Sequence, residues 1–301
     1  MTMDFITTNN GCRIPMIGYG PGAVVQKKFI SCKIRIVERA INAVYNRLMF
    51  RKYVNNCVFA LQNGYRLIDY SAAYGFERLI GKAIKKSKVP REEIIITTRV
   101  SNPDQFTRNI RDAFFNSMKK LGVSYIDLYM FHWPVDNCYV ETYKEMEKLY
   151  QEGYIKILGV ANCHQHHLED ILKVCNVPPA INQFEVHPLF TQKPLIEFCQ
   201  DNHIAVEAYT PLARNDDRLR RNKILREIAE KYDKTIQQII LKWHVQNGII
   251  PIVRSSNRKR IIANISIFDF LLSKEEIQRI DSININSRLR YDPDNCDFTA
   301  L

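Results

Sequence analysis

The chain has 301 residues, with 43 Lys and Arg against 32 Asp and Glu for a formal charge of +11, and 46% of its residues are hydrophobic. This composition excludes a disordered or collagen-like chain and leaves two ordinary domains or one large α/β barrel. No apolar run approaches the ~18 residues of a membrane span. The first residues lack the basic-then-apolar grammar of a signal peptide, and eight scattered cysteines without a CxxC pair fit reduced thiols, so the chain reads as soluble and cytoplasmic.

Residues 4–17 read as two short strands around the turn Asn9-Asn10-Gly11, an N-terminal β-hairpin. A first barrel-type strand is expected at Met16 to Tyr19. From Pro21 to Asn55 follows a segment with eight basic residues and one acidic, which holds most of the excess charge. Within it Ile34, Val37, Ile41, Val44 and Leu48 recur at helical spacing, which predicts an amphipathic helix. Three uses are open for it: packing on the protein's own wall, self-association or protein-partner binding, and contact with an anionic membrane or nucleic acid. Nucleic acid is the least favoured, because the charge is local to this segment.

Beyond the insert, strands are expected at Tyr65–Asp69, Ile94–Thr98, Tyr125–Phe131, Ile155–Val160, Ala180–Phe184, Ile204–Tyr209 and Ile250–Val253. Several are continuous apolar runs, as strands buried on both faces of a parallel sheet are. Helices are expected between them, over Gln105–Leu121, Val140–Glu152, Gln192–Asp201 and Asn222–Tyr232 among others. Eight strand-then-helix units without a linker favour a single (β/α)8 TIM barrel over residues 1–301 rather than two doubly wound domains. In such a barrel the chemistry sits at the C-terminal ends of the strands, and every expected end after the first carries a polar group: Asp69, Arg99, His132, Asn162, Gln183, Tyr209 and Arg254.

Taken singly each of these has a structural reading, as a cap or a satisfied buried polar group. Together, Arg66-Leu-Ile-Asp-Tyr-Ser-Ala-Ala-Tyr-Gly, Ile96-Thr-Thr-Arg and Leu121-Gly-Val-Ser-Tyr-Ile-Asp-Leu-Tyr-Met-Phe-His-Trp-Pro resemble the aldo-keto reductases. The resemblance continues through Gly159-Val-Ala-Asn, Ile181-Asn-Gln-Phe-Glu-Val-His-Pro, Glu207-Ala-Tyr-Thr-Pro-Leu and Ile252-Val-Arg-Ser-Ser-Asn, and is nearest in look to the small-carbonyl and diketogluconate-type reductases.

The resemblance implies reduction of an aldehyde or ketone by hydride from NADPH, with Tyr74 as the acid, His132 orienting the carbonyl, and a cation paired with Asp69 tuning the tyrosine. That cation is a Lys in the family and Arg99 here, a non-conservative exchange in a packed site that predicts a slow reductase. The other reading is a catalytically weak nicotinamide-binding regulatory module acting through the basic helix. For the cofactor, the resemblance assigns Asn162, Gln183 and Tyr209 to the nicotinamide side, with Ala161 in place of the usual Ser, and counts Gly20 among the cofactor-binding residues. It assigns Thr210 and Leu212 to the pyrophosphate, and Arg254, Ser255, Ser256, Asn257, Arg260 and Asn264 to the adenosine end. Two Arg at that end favour NADPH and its NADP+ product over the unphosphorylated pair.

Trp133 would line the substrate pocket, Gly22 replaces a frequent aromatic, and the tail 287–298 would border it. Arg288 and Arg290 in that tail would either attract a carboxylated or phosphorylated carbonyl compound or serve only solubility. No metal centre is expected, since His164-Gln-His-His lacks a third spaced ligand.

Overall fold

Residues 3–23 and 35–300 are described in the computed structural model of the chain, apart from the side chains of residues 35–38 and 40. Strands β1 (Phe5–Thr7) and β2 (Arg13–Pro15) pair antiparallel, with Ile6 opposite Ile14. Asn9 and Asn10 at their turn donate side-chain hydrogen bonds to the carbonyls of Pro179 (3.1 Å) and Lys156 (2.8 Å). Both acceptors lie at the starts of later strands, so the hairpin covers the N-terminal end of the sheet.

The following strands are β3 (Gly18–Tyr19), β4 (Leu67–Asp69), β5 (Ile95–Val100), β6 (Ile126–Phe131), β7 (Ile155–Ala161), β8 (Ile181–Glu185), β9 (Ala205–Tyr209) and β10 (Ile249–Val253). They are all parallel and close into a barrel in the order β10-β3-β4-β5-β6-β7-β8-β9. The TIM-type barrel expected from the sequence is therefore present. Only Gly18 and Tyr19 of the expected first strand pair. A Cβ on Gly18 would lie 2.5 Å from Ile252 Cδ1 and 2.9 Å from Leu67 Cδ2, so a side chain there would displace both of these neighbours.

The helices are α1 (Arg35–Gln62), α2 (Glu77–Ser87), α3 (Asn102–Phe106), α4 (Ile110–Leu121), α5 (Tyr139–Gln151), α6 (Gln165–Leu172), α7 (Lys193–Asp201), α8 (Asp217–Arg220), α9 (Lys223–Tyr232), α10 (Ile236–Gln246), α11 (Arg258–Ile265) and α12 (Lys274–Asp281). The single helix expected over Gln105–Leu121 is two. Ser101 caps α3 by accepting the Asp104 amide, Pro103 sits in its first turn, and Arg108 then takes a left-handed φ of 55° that stops it before α4. No helix among the described residues is long and apolar enough to cross a membrane.

The insert is not a separate helix. From Arg35 it is continuous with the barrel's first helix, and α1 divides by environment. Its C-terminal half buries Cys57, Ala60 and Leu61, and Phe50 stacks at 5.1 Å on Phe76 beside α2. Its earlier turns rise away from the wall, with Val44 60% and Leu48 59% exposed and Arg39, Arg47, Arg51 and Lys52 in solvent. Of the stripe read from the sequence, Ile34 lies outside the described residues and so does the side chain of Val37. The part that is described does not pack on the barrel. The helix follows its own spacing, and the barrel contact uses Tyr53, Val54, Cys57, Val58 and Leu61 one or two turns later.

Candidate active site

Strands β4, β5, β8 and β9 bring four polar side chains, Asp69, Arg99, Gln183 and Glu207, into the barrel interior. Arg99 is 1% exposed and Asp69 7%, and Arg99 Nη2 donates to Asp69 Oδ1. Arg99 Nη2 also donates to Gln183 Oε1 at 2.8 Å and Nη1 to the Tyr70 carbonyl at 2.7 Å. Gln183 Nε2 donates in turn to Asp69 Oδ1 at 3.1 Å and to Glu207 Oε2 at 2.7 Å. A buried guanidinium is tolerable only with such partners. Burial works against its charge, and Asp69, Tyr74 and Glu207 together more than offset this, so Arg99 holds its proton more firmly than in water. Glu207 is the residue that sequence reasoning left without a role. Its signal was present: an acid in the otherwise apolar strand Ile204–Tyr209. Burial, and then the charge of Asp69, pushes its carboxyl up to about 8.

Tyr74 follows Asp69 in a short 3-10 turn, Ala72–Tyr74, capped at its start by Ser71 and at its end by Gly75 with φ 79°. Its ring meets His132 edge-on at 5.9 Å and Tyr70 at 5.3 Å. Burial raises the Tyr74 pKa, and the charges of Arg99, Arg290 and Arg254 act to lower it without cancelling the burial. The sequence reading that a neighbouring cation favours tyrosinate thus holds for the sign of the Arg99 effect, but the net shift is upward. His132 extends from the end of β6, and its pKa is lowered to about 3 by burial and by the charges of Arg99 and Arg290. It is a neutral imidazole at neutral pH. The Ser71 hydroxyl lies 3.5 Å from His132 Nδ1; donating there leaves the ring proton on Nε2.

The cofactor-side residues fall into groups. Asn162 is buried, takes a left-handed φ of 61°, donates to the His132 carbonyl at 2.9 Å and accepts from the Tyr209 hydroxyl at 2.7 Å. Thr210, with φ 53°, and Leu212 follow Tyr209 in the next loop. Gln183, expected to hold a carboxamide, has its amide oxygen and nitrogen both engaged by the Arg99 network. Gly20 donates its amide to the Val253 carbonyl at 2.9 Å, and a Cβ there would stand 3.8 Å from an Asp69 oxygen, so it borders the network.

On the far side Arg254 is exposed, Ser255 is buried, and Ser256, Asn257 and Arg260 lie on the surface around the start of α11, with Asn264 buried one turn on. Asn257 caps α11 through the Arg260 amide at 3.2 Å. Arg254, Arg258 and Arg260 at this helix start offer the donors a phosphate needs. The space left by the missing aromatic at Gly22 is filled by Arg254, since a Cβ at Gly22 would stand 2.8 Å from its guanidinium.

The tail crosses the same end of the barrel. Glu185, at the end of β8, accepts the backbone amides of Leu289 (2.8 Å) and Arg290 (2.9 Å). Trp133 packs with Val135 and Phe298, and its ring lies 6.5 Å from Tyr291. The histidine cluster that the sequence left without a third partner receives two from this tail. His164 Nδ1 lies 2.8 Å from Asp294 Oδ2, and His166 and His167 face the other oxygen at 3.5 and 3.8 Å. Asp292 lies 3.9 Å from His164 Nε2. His167 Nδ1 accepts the His164 amide at 3.1 Å and so caps α6, and His164, with Nε2 3.3 Å from Arg288, ties the helix start to the tail.

A parallel eight-stranded barrel with a tyrosine, a neutral histidine and a buried cation–carboxylate pair at its C-terminal end, flanked by an arginine-rich helix start, defines a barrel oxidoreductase. A sequence profile described as Aldo/keto reductase family matches residues 42–285. The chain is 38% identical over 291 residues to a 9,11-endoperoxide prostaglandin H2 reductase of Trypanosoma cruzi, covering 96% of this chain and 95% of that one. It is 43% identical over 239 residues to a glyoxal reductase of Bacillus subtilis, covering 79% and 86%. Among solved structures, a Bombyx mori aldo-keto reductase in complex with NADP superposes with a TM-score of 0.84 at 32% identity, covering 98% of this chain and 97% of that one. The chain belongs to the aldo/keto reductase family and is an oxidoreductase.

Proposed function

We propose that this protein uses NADPH to reduce an aldehyde or ketone to an alcohol, with Tyr74 as the proton donor. The observation that carries this reading is the convergence of Tyr74, His132 and the Arg99–Asp69 pair at one end of the barrel. NADPH would be held by Arg254, Ser255, Ser256, Asn257, Arg260 and Asn264 at its adenosine end, by Thr210 and Leu212 along the pyrophosphate, and by Asn162 and Tyr209 at the nicotinamide. When bound it supplies hydride to the carbonyl carbon. Neutral His132 donates its Nε2 proton in a hydrogen bond to the carbonyl oxygen and so orients it. Tyr74 transfers its hydroxyl proton to that oxygen as charge develops, and the Arg99 guanidinium, balanced by Asp69, stabilises the tyrosinate left behind. Trp133 closes one wall of the substrate space. The seven described cysteines are free thiols, which suits a reducing cytosol.

A second reading draws on the exposed apolar and basic turns of α1: a weak catalyst that binds the dinucleotide and acts through a protein partner or a second copy on that helix. A panel of aldehydes and ketones, followed by NADPH oxidation in the native chain and in Tyr74→Phe, tests both. Oxidation that depends on Tyr74 supports the reductase. NADPH binding without turnover on any member of the panel would sink it in favour of the second.

A further inference from the structure

The interior network holds two acids and one cation. Asp69 on β4 is paired with Arg99 on β5. Glu207 lies on β9 two residues before Tyr209, one layer deeper on the same face of the strand. Across the sheet it stands opposite Gln183 on β8 and Ile250 on β10. Gln183 Nε2 donates to both acids, at 3.1 Å to Asp69 Oδ1 and at 2.7 Å to Glu207 Oε2, while Gln183 Oε1 accepts from Arg99 Nη2 at 2.8 Å. The charges that act on Glu207 are those of Asp69 and Arg99; its neighbour on β10 is apolar and His132 is neutral. Glu207 is 0% exposed, and its Oε1 is buried with no hydrogen-bond partner among the described residues. An ionised carboxylate with one bare buried oxygen is far costlier than a neutral acid in the same place. One guanidinium balances one negative charge, so two acids bridged by a single amide nitrogen share a proton. That proton belongs on Glu207, because Asp69 holds the guanidinium directly.

We propose that Glu207 is a positioning residue of the reductase: it holds Gln183 against Arg99, and its proton leaves the guanidinium balanced by Asp69 alone and free to stabilise the Tyr74 tyrosinate. This rests on the reductase reading above and adds a residue that touches neither substrate nor cofactor. Glu207 and Tyr74 both act on Arg99, so they compete for one positive charge. When Glu207 loses its proton, a second carboxylate draws on that charge, the tyrosinate forms less readily, and carbonyl reduction slows. The loss sets in as pH rises through about 8, where the Glu207 carboxyl ionises. Tyr74 is held above its ordinary value of 10, so its own ionisation lies beyond that window. Because Glu207 is not the proton donor, the rate settles on a lower plateau instead of falling tenfold for each further pH unit.

The test is kcat for reduction of the best substrate of the carbonyl panel, measured from pH 6 to pH 10 at saturating NADPH in the native chain and in Glu207→Gln. The native rate falls by about 5- to 10-fold to a plateau, with its midpoint near pH 8, the change expected when a buried neighbour shifts the proton donor by somewhat under one pKa unit. Glu207→Gln keeps a neutral group that accepts from Gln183; it stays within about threefold of the native rate at pH 6 and lacks the fall, so it overtakes the native chain at pH 9. Infrared difference spectra between pH 6 and pH 9 provide a second measurement that needs no substrate or cofactor. The native chain loses a protonated-carboxyl band over that interval and Glu207→Gln does not. An equal fall in both proteins, or a native chain without that band at pH 6, overturns the proposal and leaves the reductase reading intact. Absence of turnover by the native chain at every pH overturns both.

Discussion

Arg99 and Gln183 are locked together by a 2.8 Å hydrogen bond, and Gln183 spends its amide nitrogen on Asp69 and Glu207. A lysine at position 99 carries a compact charge on a shorter side chain: its ammonium can pair with Asp69 but stops one atom short of Arg99 Nη2, which holds both Asp69 and Gln183, and it lacks the Nη1 that holds the Tyr70 carbonyl. Arg99→Lys should therefore release the Gln183 oxygen toward the cofactor, tightening NADPH about tenfold for one recovered hydrogen bond and raising turnover. Titration of NADPH by fluorescence and steady-state rates on one good substrate measure both. A fall in turnover with tighter binding would mean that the site is tuned around the guanidinium. Arg99→Met is a different case, because it leaves Asp69 buried without its partner; a loss of ~3–5 kcal/mol in unfolding free energy is expected.

Removing the Tyr74 hydroxyl separates chemistry from binding. Tyr74→Phe keeps the ring that packs on His132 and Tyr70 and deletes only the proton donor. Turnover should drop by about 10²–10⁴-fold with little change in NADPH affinity. Because His132 is held neutral, with a pKa near 3, its protonation does not contribute an acid limb to the rate profile between pH 5 and 7 in either protein. An acid limb in that window that disappears in His132→Gln would contradict this assignment.

The barrel was legible because its signals are local and repeated. Apolar runs such as Tyr125–Phe131 have few alternatives to a doubly buried strand, and a polar residue ending each run marked the site. The wiring between those ends was not legible. That Arg99 reaches Gln183, and that Glu207 joins them, depends on barrel closure placing β5, β8 and β9 around one interior. The fate of the two tail arginines depends likewise on where Glu185 seizes the backbone. The α1 stripe gave the helix but left its use open for a physical reason: helical spacing shows which residues share a face, but not whether anything covers that face. Here the barrel wall meets the helix only from about Phe50 onward.

That division of α1 predicts opposite outcomes for two leucines on one helix. Leu61 is 1% exposed against the barrel, so Leu61→Ala should cost about 2–5 kcal/mol. Leu48→Ala should stay within ~0.5 kcal/mol, as at an uncommitted surface position. Urea denaturation of both variants at low protein concentration measures the difference. A cost at Leu48 that grows with protein concentration would reveal a second copy covering those turns, since association stabilises by mass action.

Glu207 gives the clearest dependence on pH. Its carboxyl is protonated up to about pH 8 in the folded chain, whereas in the unfolded chain it ionises near the ordinary value of 4.5. Between these values the folded state binds more protons than the unfolded one, so stability declines as pH rises from about 4.5 to about 8 and levels off beyond. Glu207→Gln keeps an oxygen to accept the Gln183 amide and removes the ionisation. At pH 5 the variant should be as stable as the native chain. At pH 9 it should be more stable, by up to ~5 kcal/mol, at about 1.4 kcal/mol for each pH unit between 4.5 and 8. Paired urea titrations at the two pH values measure this directly and require no substrate or cofactor. A variant less stable than the native chain at pH 9 would show that an ionised Glu207 is a net support of the Arg99 network, with its negative charge welcomed by the guanidinium through Gln183.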